Sequence, residues 1–279
     1  MNTNENKPNI TTKDALLAVF LGLLILVFSE AISALPSLLP LPESVVNIVF
    51  GVLYVVIAYY LLKLACAKLI PISLKECRID RPHISIMWLA VAVLLPVIVS
   101  AILLCMPGNF VKNDLSGLQM VNIFATAIFV VGFGAGVVEE MIFRGFIMTA
   151  LEKRWGKRIA IVIPSVLFGL LHASRGMNVL DFILLLVAGT SVGIMFSMIV
   201  YKSGSVWCSA LVHGIWNVIM IGEILHIGST YVENAIFSYE LTTESVLLTG
   251  GEFGVEASVV AIVGYIAVIV LALRSGKKV

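Results

Sequence analysis

Long apolar segments follow one another along almost the whole chain, and they constrain its fold more than any other feature. A transmembrane helix needs about 20 apolar residues, and eight segments are candidates for one. They are Ala15–Leu35, Val45–Ala65, Ile84–Met106, Met120–Leu151, Arg158–His172, Val179–Tyr201, Val206–Leu225 and Val255–Leu273. Because these runs are continuous and do not alternate in ten-residue segments, they exclude an outer-membrane β-barrel. The sequence therefore predicts an all-α polytopic membrane bundle of about eight transmembrane helices.

The composition excludes the main classes of soluble protein. Charged residues make up 13% of the 279 residues and apolar residues 60%, whereas roughly a quarter of an ordinary soluble domain is charged. The net charge is +1, so the chain has no excess of positive charge for binding nucleic acid. A cytosolic enzyme, a disordered chain and a nucleic-acid-binding protein are excluded, and the lipid bilayer is the expected environment.

The distribution of lysine and arginine predicts the orientation in the membrane. If the N-terminus is cytoplasmic, 15 of the 18 Lys and Arg residues fall in inner segments, and only Lys112 and Arg175 fall outside. Arg144 lies within a candidate span and is not counted. Such a bias marks the cytoplasmic side, so both termini are predicted to be cytoplasmic. Residues 1–14 are predicted to form a disordered tail, and residues 15–279 a single integral-membrane domain.

Ionisable side chains inside a bilayer are costly, so each of them marks a candidate functional site. Most of those in the candidate spans belong to three clusters. The clusters are Glu139-Glu140-Met141-Ile142-Phe143-Arg144, Phe168-Gly169-Leu170-Leu171-His172 and His213-Gly214-Ile215-Trp216-Asn217. On a helix Glu140 and Arg144 are i, i+4 neighbours in the favourable acid-first order, and Glu139 then faces another direction. We interpret Glu140 and Arg144 as a structural ion pair, and Phe168 as a packing residue that supports the site.

The helical rise predicts that four of these polar side chains lie at a similar depth. At about 1.5 Å per residue, Glu139 and His172 each lie roughly 21 Å from the inner ends of their spans. By the same rise, His213 and Asn217 lie roughly 16 and 22 Å from the inner end of theirs. Three helices therefore bring a carboxylate, two imidazoles and an amide to one layer of the membrane.

These groups are the parts of a hydrolase that attacks an amide bond with water. A carboxylate beside an imidazole in an apolar pocket can hold and deprotonate a water molecule. A second imidazole and an amide can donate hydrogen bonds to a developing oxyanion. Two histidines and a glutamate are also a ligand set for Zn²⁺ with an open position. A zinc site of Glu139, His172 and His213 is therefore the alternative to a metal-free site.

The three clusters, in this order, resemble the motifs of the CPBP family, which comprises CaaX-processing endopeptidases and bacteriocin-processing (Abi-type) intramembrane proteases. The family pattern is Glu-Glu-x-x-x-Arg, then Phe-x-x-x-His, then His-x-x-x-Asn or Asp, and this sequence matches every position. The matching residues are Glu139, Glu140, Arg144, Phe168, His172, His213 and Asn217. The resemblance implies an intramembrane endopeptidase with a catalytic core at about residues 120–225.

The resemblance also implies a role for each polar residue. Glu139 activates water together with His172, His213 and Asn217 stabilise the oxyanion, and the predicted ion pair supports the site. A glutamate-type mechanism without a cofactor is favoured, because it explains Asn217 as an oxyanion donor. Zn²⁺ is the alternative cofactor.

The expected substrate is a membrane-associated peptide or protein. The compact loops suit a bacterial member of the family, which predicts a multi-pass protein of the bacterial plasma membrane. The main alternative function is that of a non-proteolytic membrane scaffold or bacteriocin-immunity protein with the same fold. A proton-coupled transporter is a further alternative, although the sequence has no inverted repeat to support it.

Overall fold

The computed structural model of the protein describes residues 10–174 and 177–275. Within these ranges the main elements are eight helices of 15 residues or more. They are α1 (Thr12–Ser33), α2 (Glu43–Lys68), α3 (Ile86–Leu104), α4 (Gly117–Trp155), α5 (Lys157–Leu171), α6 (Val179–Ser203), α7 (Val206–Met220) and α8 (Val259–Arg274). Each of the eight apolar segments forms a helix, which confirms the predicted helical membrane architecture.

The helices differ in length more than the sequence analysis predicted. Five of them, α1 to α4 and α6, are long and apolar enough to cross a membrane. The other three, α5, α7 and α8, have 15, 15 and 16 residues, so each rises only about 23 Å against a hydrocarbon core of about 30 Å. α7 ends at Met220, five residues before the predicted end, because the following chain turns into a strand. α8 begins at Val259, four residues after the predicted start, because the Ser258 side chain caps it there.

The folded domain begins earlier than predicted. The Thr11 side chain accepts a hydrogen bond from the backbone N–H of Asp14, and the Asp14 carboxylate accepts one from the backbone N–H of Thr11. This capping box starts α1 at Thr12, and Ile10 is buried in the core. Residues 10–14 therefore belong to the folded domain, although the prediction placed them in a tail. Residues 1–9 of that predicted tail lie outside the described residues.

The central helix α4 has 39 residues and is not uniformly α-helical. Two stretches, Thr126–Ala135 and Met141–Ile147, are π-helical, and they flank the α-helical turn Gly136–Glu140. π-helical turns are rare and are frequently found at functional sites. The two glutamates of the first motif therefore lie between two distortions of the same helix.

Glycines bring two pairs of helices into direct backbone contact. A Cβ atom on Gly136 of α4 would lie 2.8 Å from the Cα of Gly214 on α7. A Cβ atom on Gly189 of α6 would lie 2.6 Å from the Cα of Gly169 on α5. Small residues permit such close approach between membrane helices. Because Gly136 precedes Glu139 by three residues and Gly214 follows His213, the first contact sets the distance between these two side chains.

Two hydrophobic clusters fill the interior, and α4 lies between them. The first is built mainly from α1, α2 and α4, and the second mainly from α3, α6, α7 and α8. Every residue of α4 from Met141 to Leu151 is buried. On the outer faces of α1 and α3, by contrast, large side chains such as Phe20, Phe28 and Ile98 are exposed. Soluble proteins rarely expose so large an apolar surface, whereas a bilayer solvates it.

A small three-stranded sheet departs from the all-α prediction. β1 (Gly108–Lys112) pairs antiparallel with β3 (Phe237–Leu241), and β3 pairs in parallel with β2 (Leu225–Gly228). Apart from Leu225, the strands lie between the candidate spans, where they satisfy backbone hydrogen bonds. Between β3 and α8 the chain forms the short helical turns Gly251–Phe253 and Val255–Ala257. These two turns reach the cavity that contains the candidate site.

Candidate active site

A cavity of about 290 Å³ lies between α4, α5, α6, α7 and the segment that precedes α8. Its wall includes all four residues assigned to the chemistry, namely Glu139, His172, His213 and Asn217. Phe168 also lines it, and most of the remaining wall is apolar. The volume is close to the lower limit of about 300 Å³ for ligand pockets. The structure thus brings three separate motifs to one cavity.

The cavity lies where two of the short helices end. His172 directly follows the last residue of α5, and Asn217 lies three residues before the end of α7. Glu139 lies instead within the long helix α4, between its two π-helical stretches. The shared depth predicted from the helical rise therefore corresponds to the ends of α5 and α7 beside the middle of α4.

Glu139 is the carboxylate of the Glu-Glu pair that faces the cavity. Its Oε2 atom lies 3.8 Å from Nε2 of His213, which is beyond hydrogen-bond distance. Within the described part of the chain this oxygen is buried and makes no hydrogen bond. Catalytic hydrogen bonds are often long in the absence of substrate and tighten when it binds. The geometry therefore leaves Glu139 available to a reacting group.

Glu140 and Arg144 form the predicted ion pair, with Oε1 and Nη1 2.8 Å apart and both side chains fully buried. The guanidinium carbon of Arg144 lies 4.4 Å from the ring centre of Phe168 and 5.2 Å from that of Phe196. Contact with aromatic faces stabilises a desolvated cation. Phe168 therefore supports the site by packing on Arg144.

The imidazole of His213 is oriented by Glu140 and by an aromatic ring. Its Nδ1 atom lies 3.2 Å from Oε1 of Glu140, and its ring stacks on Phe196 at 4.7 Å and 19°. Because an ionised carboxylate can only accept a hydrogen bond, Nδ1 is the donor in this contact. Nε2 then faces Glu139. Glu140 therefore links the buried ion pair to one of the two candidate catalytic histidines.

His172 and Asn217 are each held by a backbone carbonyl. Nδ1 of His172 donates to the carbonyl oxygen of Phe168 at 2.8 Å, so in the neutral ring Nε2 is a hydrogen-bond acceptor. Nδ2 of Asn217 donates to the carbonyl oxygen of Val131 at 2.8 Å, in the first π-helical stretch of α4. One N–H of this amide remains for another acceptor. The site thus contains an acceptor nitrogen and an amide donor.

The zinc alternative needs three ligands that converge on one point. In residues 10–174 and 177–275, no three His, Cys, Asp or Glu side chains come together in a group that could hold a metal ion. Zinc needs its nitrogen and oxygen ligands at about 2.0–2.2 Å. Glu139, His172 and His213 share the cavity wall without forming such a ligand set.

A serine-hydrolase motif in the sequence has no catalytic geometry. The run Gly189-Thr190-Ser191-Val192-Gly193 has the Gly-x-Ser-x-Gly spacing, but it lies inside α6. A nucleophile elbow requires a sharp turn between a strand and a helix. The two glycines instead pack against α5, where a Cβ atom on Gly193 would lie 2.7 Å from Ser165.

One further ionisable residue lines the cavity, and the sequence analysis assigned it no role. Glu256 lies in the helical turn Val255–Ala257 before α8, outside the membrane-crossing helices. Burial raises the pKa of its carboxyl group, and the nearby imidazole of His172 and a hydrogen bond from Trp216 act in the opposite direction. A glutamate just before an apolar helix is typical of a membrane boundary. Glu256 is the second residue of the candidate span Val255–Leu273, and this place at the end of the span made it read as a boundary charge and not as a site residue.

The comparison with known protein families agrees with this geometry. Residues 121–219 match the family model of the Rce1-like type II CAAX prenyl endopeptidases. The match covers somewhat more than a third of the chain and includes all seven motif residues, and it confirms the family predicted from the three motifs. At family level it supports an intramembrane protease of the CAAX type. No curated protein matches the chain.

Proposed function

We propose that the protein is a membrane-embedded endopeptidase that cleaves a membrane-associated peptide with water activated by Glu139. The observation that carries the proposal is the cavity in which Glu139, His172, His213 and Asn217 meet. No member of this set is a covalent nucleophile of the serine or cysteine type, so water is the attacking group. The Rce1-like match supports the same class of reaction.

The proposed reaction assigns one task to each polar group. Glu139 and His172 hold the water, and Glu139 removes its proton as the oxygen attacks the peptide carbonyl. Nδ1 of His213 already donates to Glu140, so the doubly protonated ring of His213 donates from Nε2 to the resulting oxyanion, together with the free N–H of Asn217. Protonated Glu139 then returns the proton to the departing amine, which leaves the carboxylate ready for another cycle. Glu140 and Arg144 keep the ring of His213 in place and do not react.

The proposal is metal-independent, and it places the protein in the plasma membrane of a bacterium. The apolar outer surface of the helices requires a bilayer. The compact loops of the sequence, which suit a bacterial member of the family, support the cellular setting.

The test compares wild type with Glu139→Gln in native membranes. Glutamine keeps the size of the side chain but cannot act as a base. Glu30→Gln is the matched control, because Glu30 is also a glutamate within a membrane-crossing helix and does not line the cavity. Mass spectrometry of membrane-associated peptides and protein termini should find products with wild type and Glu30→Gln that are absent with Glu139→Gln.

Three results would contradict the proposal. Identical products from wild type and Glu139→Gln would remove Glu139 from the chemistry, and rescue of a deletion phenotype by Glu139→Gln would favour a scaffold. Stoichiometric zinc in the active protein, with activity lost on chelation and restored by zinc, would defeat the metal-independent mechanism.

A further inference from the structure

Glu256 is a second carboxylate in the cavity, and the proposed hydrolysis does not use it. It lines the same wall as Glu139, His172 and His213, and all three lie close enough to act electrostatically on it. It lies outside the family match, which ends at residue 219. A carboxyl group in the same cavity as the reacting groups is placed to affect which substrates enter.

The segment that carries Glu256 is held in a defined position. The hydroxyl group of Tyr265 donates to the backbone carbonyl oxygen of Glu256 at 3.1 Å. The rings of Trp216 and Tyr265, which line the same cavity as Glu256, pack edge to face at 5.1 Å. Such preorganisation lowers the free energy that binding must spend on ordering the site.

Among the groups of residues 10–174 and 177–275 that line the cavity, only the imidazoles of His172 and His213 oppose the charge of Glu256. Of the described residues that line the cavity, none is lysine or arginine. Arg144 lies on the same helix as Glu140, but its side chain is fully buried and forms an ion pair with Glu140. A carboxylate away from bulk water is stabilised strongly by an opposite charge and weakly without one. The described wall of the cavity therefore contains no lysine or arginine side chain to pair with this carboxylate. A substrate with a cationic side chain can supply that charge.

We propose that Glu256 selects substrates with a cationic side chain, lysine or arginine, within one or two residues of the scissile bond. This inference rests on the proposed peptidase function. The apolar stem of such a side chain packs along the apolar wall of the cavity, and its charged end reaches the carboxylate. Glu256 lines the same cavity as Glu139, His172 and His213, so a cation bound to it lies in the cavity that holds the reacting carbonyl.

The test uses purified protein in liposomes and a library of peptides that are acetylated and amidated at their ends. With the ends blocked, only side chains supply charge. Mass spectrometry should show lysine or arginine enriched around the cleaved bonds. For a cleaved sequence, kcat/KM should fall about tenfold or more when lysine is replaced by norleucine, within the range for close interfacial charge pairs.

Three variants connect this preference to the residue. In Glu256→Gln the ratio of kcat/KM between lysine and norleucine peptides should fall close to one, and in Glu256→Lys peptides with glutamate at that position should be preferred. Glu252→Gln is the matched control, because Glu252 lies in the same segment but is exposed and outside the cavity. It should keep the wild-type ratio.

The outcomes separate this inference from the proposed function. Glu139-dependent cleavage with no basic preference in wild type overturns the role of Glu256 and leaves the peptidase intact, and it needs no variant of Glu256. If no Glu139-dependent cleavage occurs, the proposed function fails. Calorimetric binding to Glu139→Gln protein then decides the inference: tighter binding of the lysine peptide than of the norleucine peptide supports it, and equal binding overturns it. A preference seen only with unblocked peptides also overturns it.

Discussion

At the scale of single residues, Glu140 joins two parts of the site that the sequence analysis treated separately. The same oxygen atom lies 2.8 Å from Arg144 and 3.2 Å from His213. The interaction with Arg144 balances a buried charge, and the interaction with His213 orients an imidazole. One carboxylate therefore contributes both to stability and to the geometry of the cavity. The adjacent Glu139 takes no part in the ion pair with Arg144 and faces the cavity.

Removal of Glu140 should destabilise the protein strongly. In Glu140→Ala the guanidinium of Arg144 remains fully buried without its partner, which should lower the free energy of unfolding by about 3–5 kcal/mol. Glu152→Ala breaks the more exposed pair with Arg78, which is 2.9 Å long, and should cost only about 0–1 kcal/mol. Equilibrium unfolding in detergent measures both. Equal losses of unfolding free energy in the two variants would show that the cost of removing Glu140 does not come from the burial of its ion pair.

At the scale of elements, the contact between α4 and α7 determines the geometry of the site. The backbones meet at Gly136 and Gly214, and the side chains of Glu139 and His213 extend from positions next to this contact. π-helical stretches lie on both sides of Gly136–Glu140, and π-helical turns frequently occur at functional sites. The site therefore depends on backbone approach as much as on its polar residues.

Gly136→Ala should reduce peptidase activity without preventing membrane insertion. The new methyl group would lie 2.8 Å from the Cα of Gly214, so α4 and α7 must separate and Glu139 must move relative to His213. Displacements of about 1 Å can lower rates roughly a hundredfold. Gly117→Ala is the control on the same helix, because a methyl group there meets nothing within 4 Å. Turnover of a reporter peptide measures the effect. Full activity in Gly136→Ala would mean that this contact does not position the site.

At the scale of the whole molecule, the segments predicted to share a side of the membrane contact one another. At the predicted inner side, Lys153 pairs with Glu76 at 2.8 Å, and Arg154 donates to Thr12 at 2.9 Å. At the predicted outer side, β1 and β3 pair in one sheet. The three-dimensional arrangement is therefore consistent with the orientation that the charge distribution predicts.

Cysteine labelling should reveal this orientation directly. In a background without the four native cysteines, Lys75→Cys and Lys157→Cys should be protected in intact cells from a membrane-impermeant thiol reagent. Lys112→Cys, on β1, should react. All three lysines are exposed in the structure, so protection reports the membrane and not burial. Labelling of positions 75 and 157 but not 112 would reverse the predicted topology.

The sequence by itself determined the helices, the environment and most of the site. Long apolar runs specify membrane helices because a bilayer cannot hydrogen-bond the backbone, so the signal is local. The Glu140–Arg144 pair was also predictable from a local signal, because residues four positions apart on a helix are neighbours. The motif residues Glu139, His172, His213 and Asn217 were found because charged and polar groups are costly inside a bilayer.

Only the tertiary structure decided how these pieces meet. The π-helical stretches of α4, the early end of α7 and the pairing of distant strands depend on contacts between segments far apart in the chain. Glu256 shows the difference most clearly. A glutamate just before an apolar helix is an ordinary boundary charge in sequence, and folding of the segment against Trp216 and Tyr265 places it in the cavity. Local patterns encode secondary structure and polarity, whereas packing between helices decides which polar groups share a cavity.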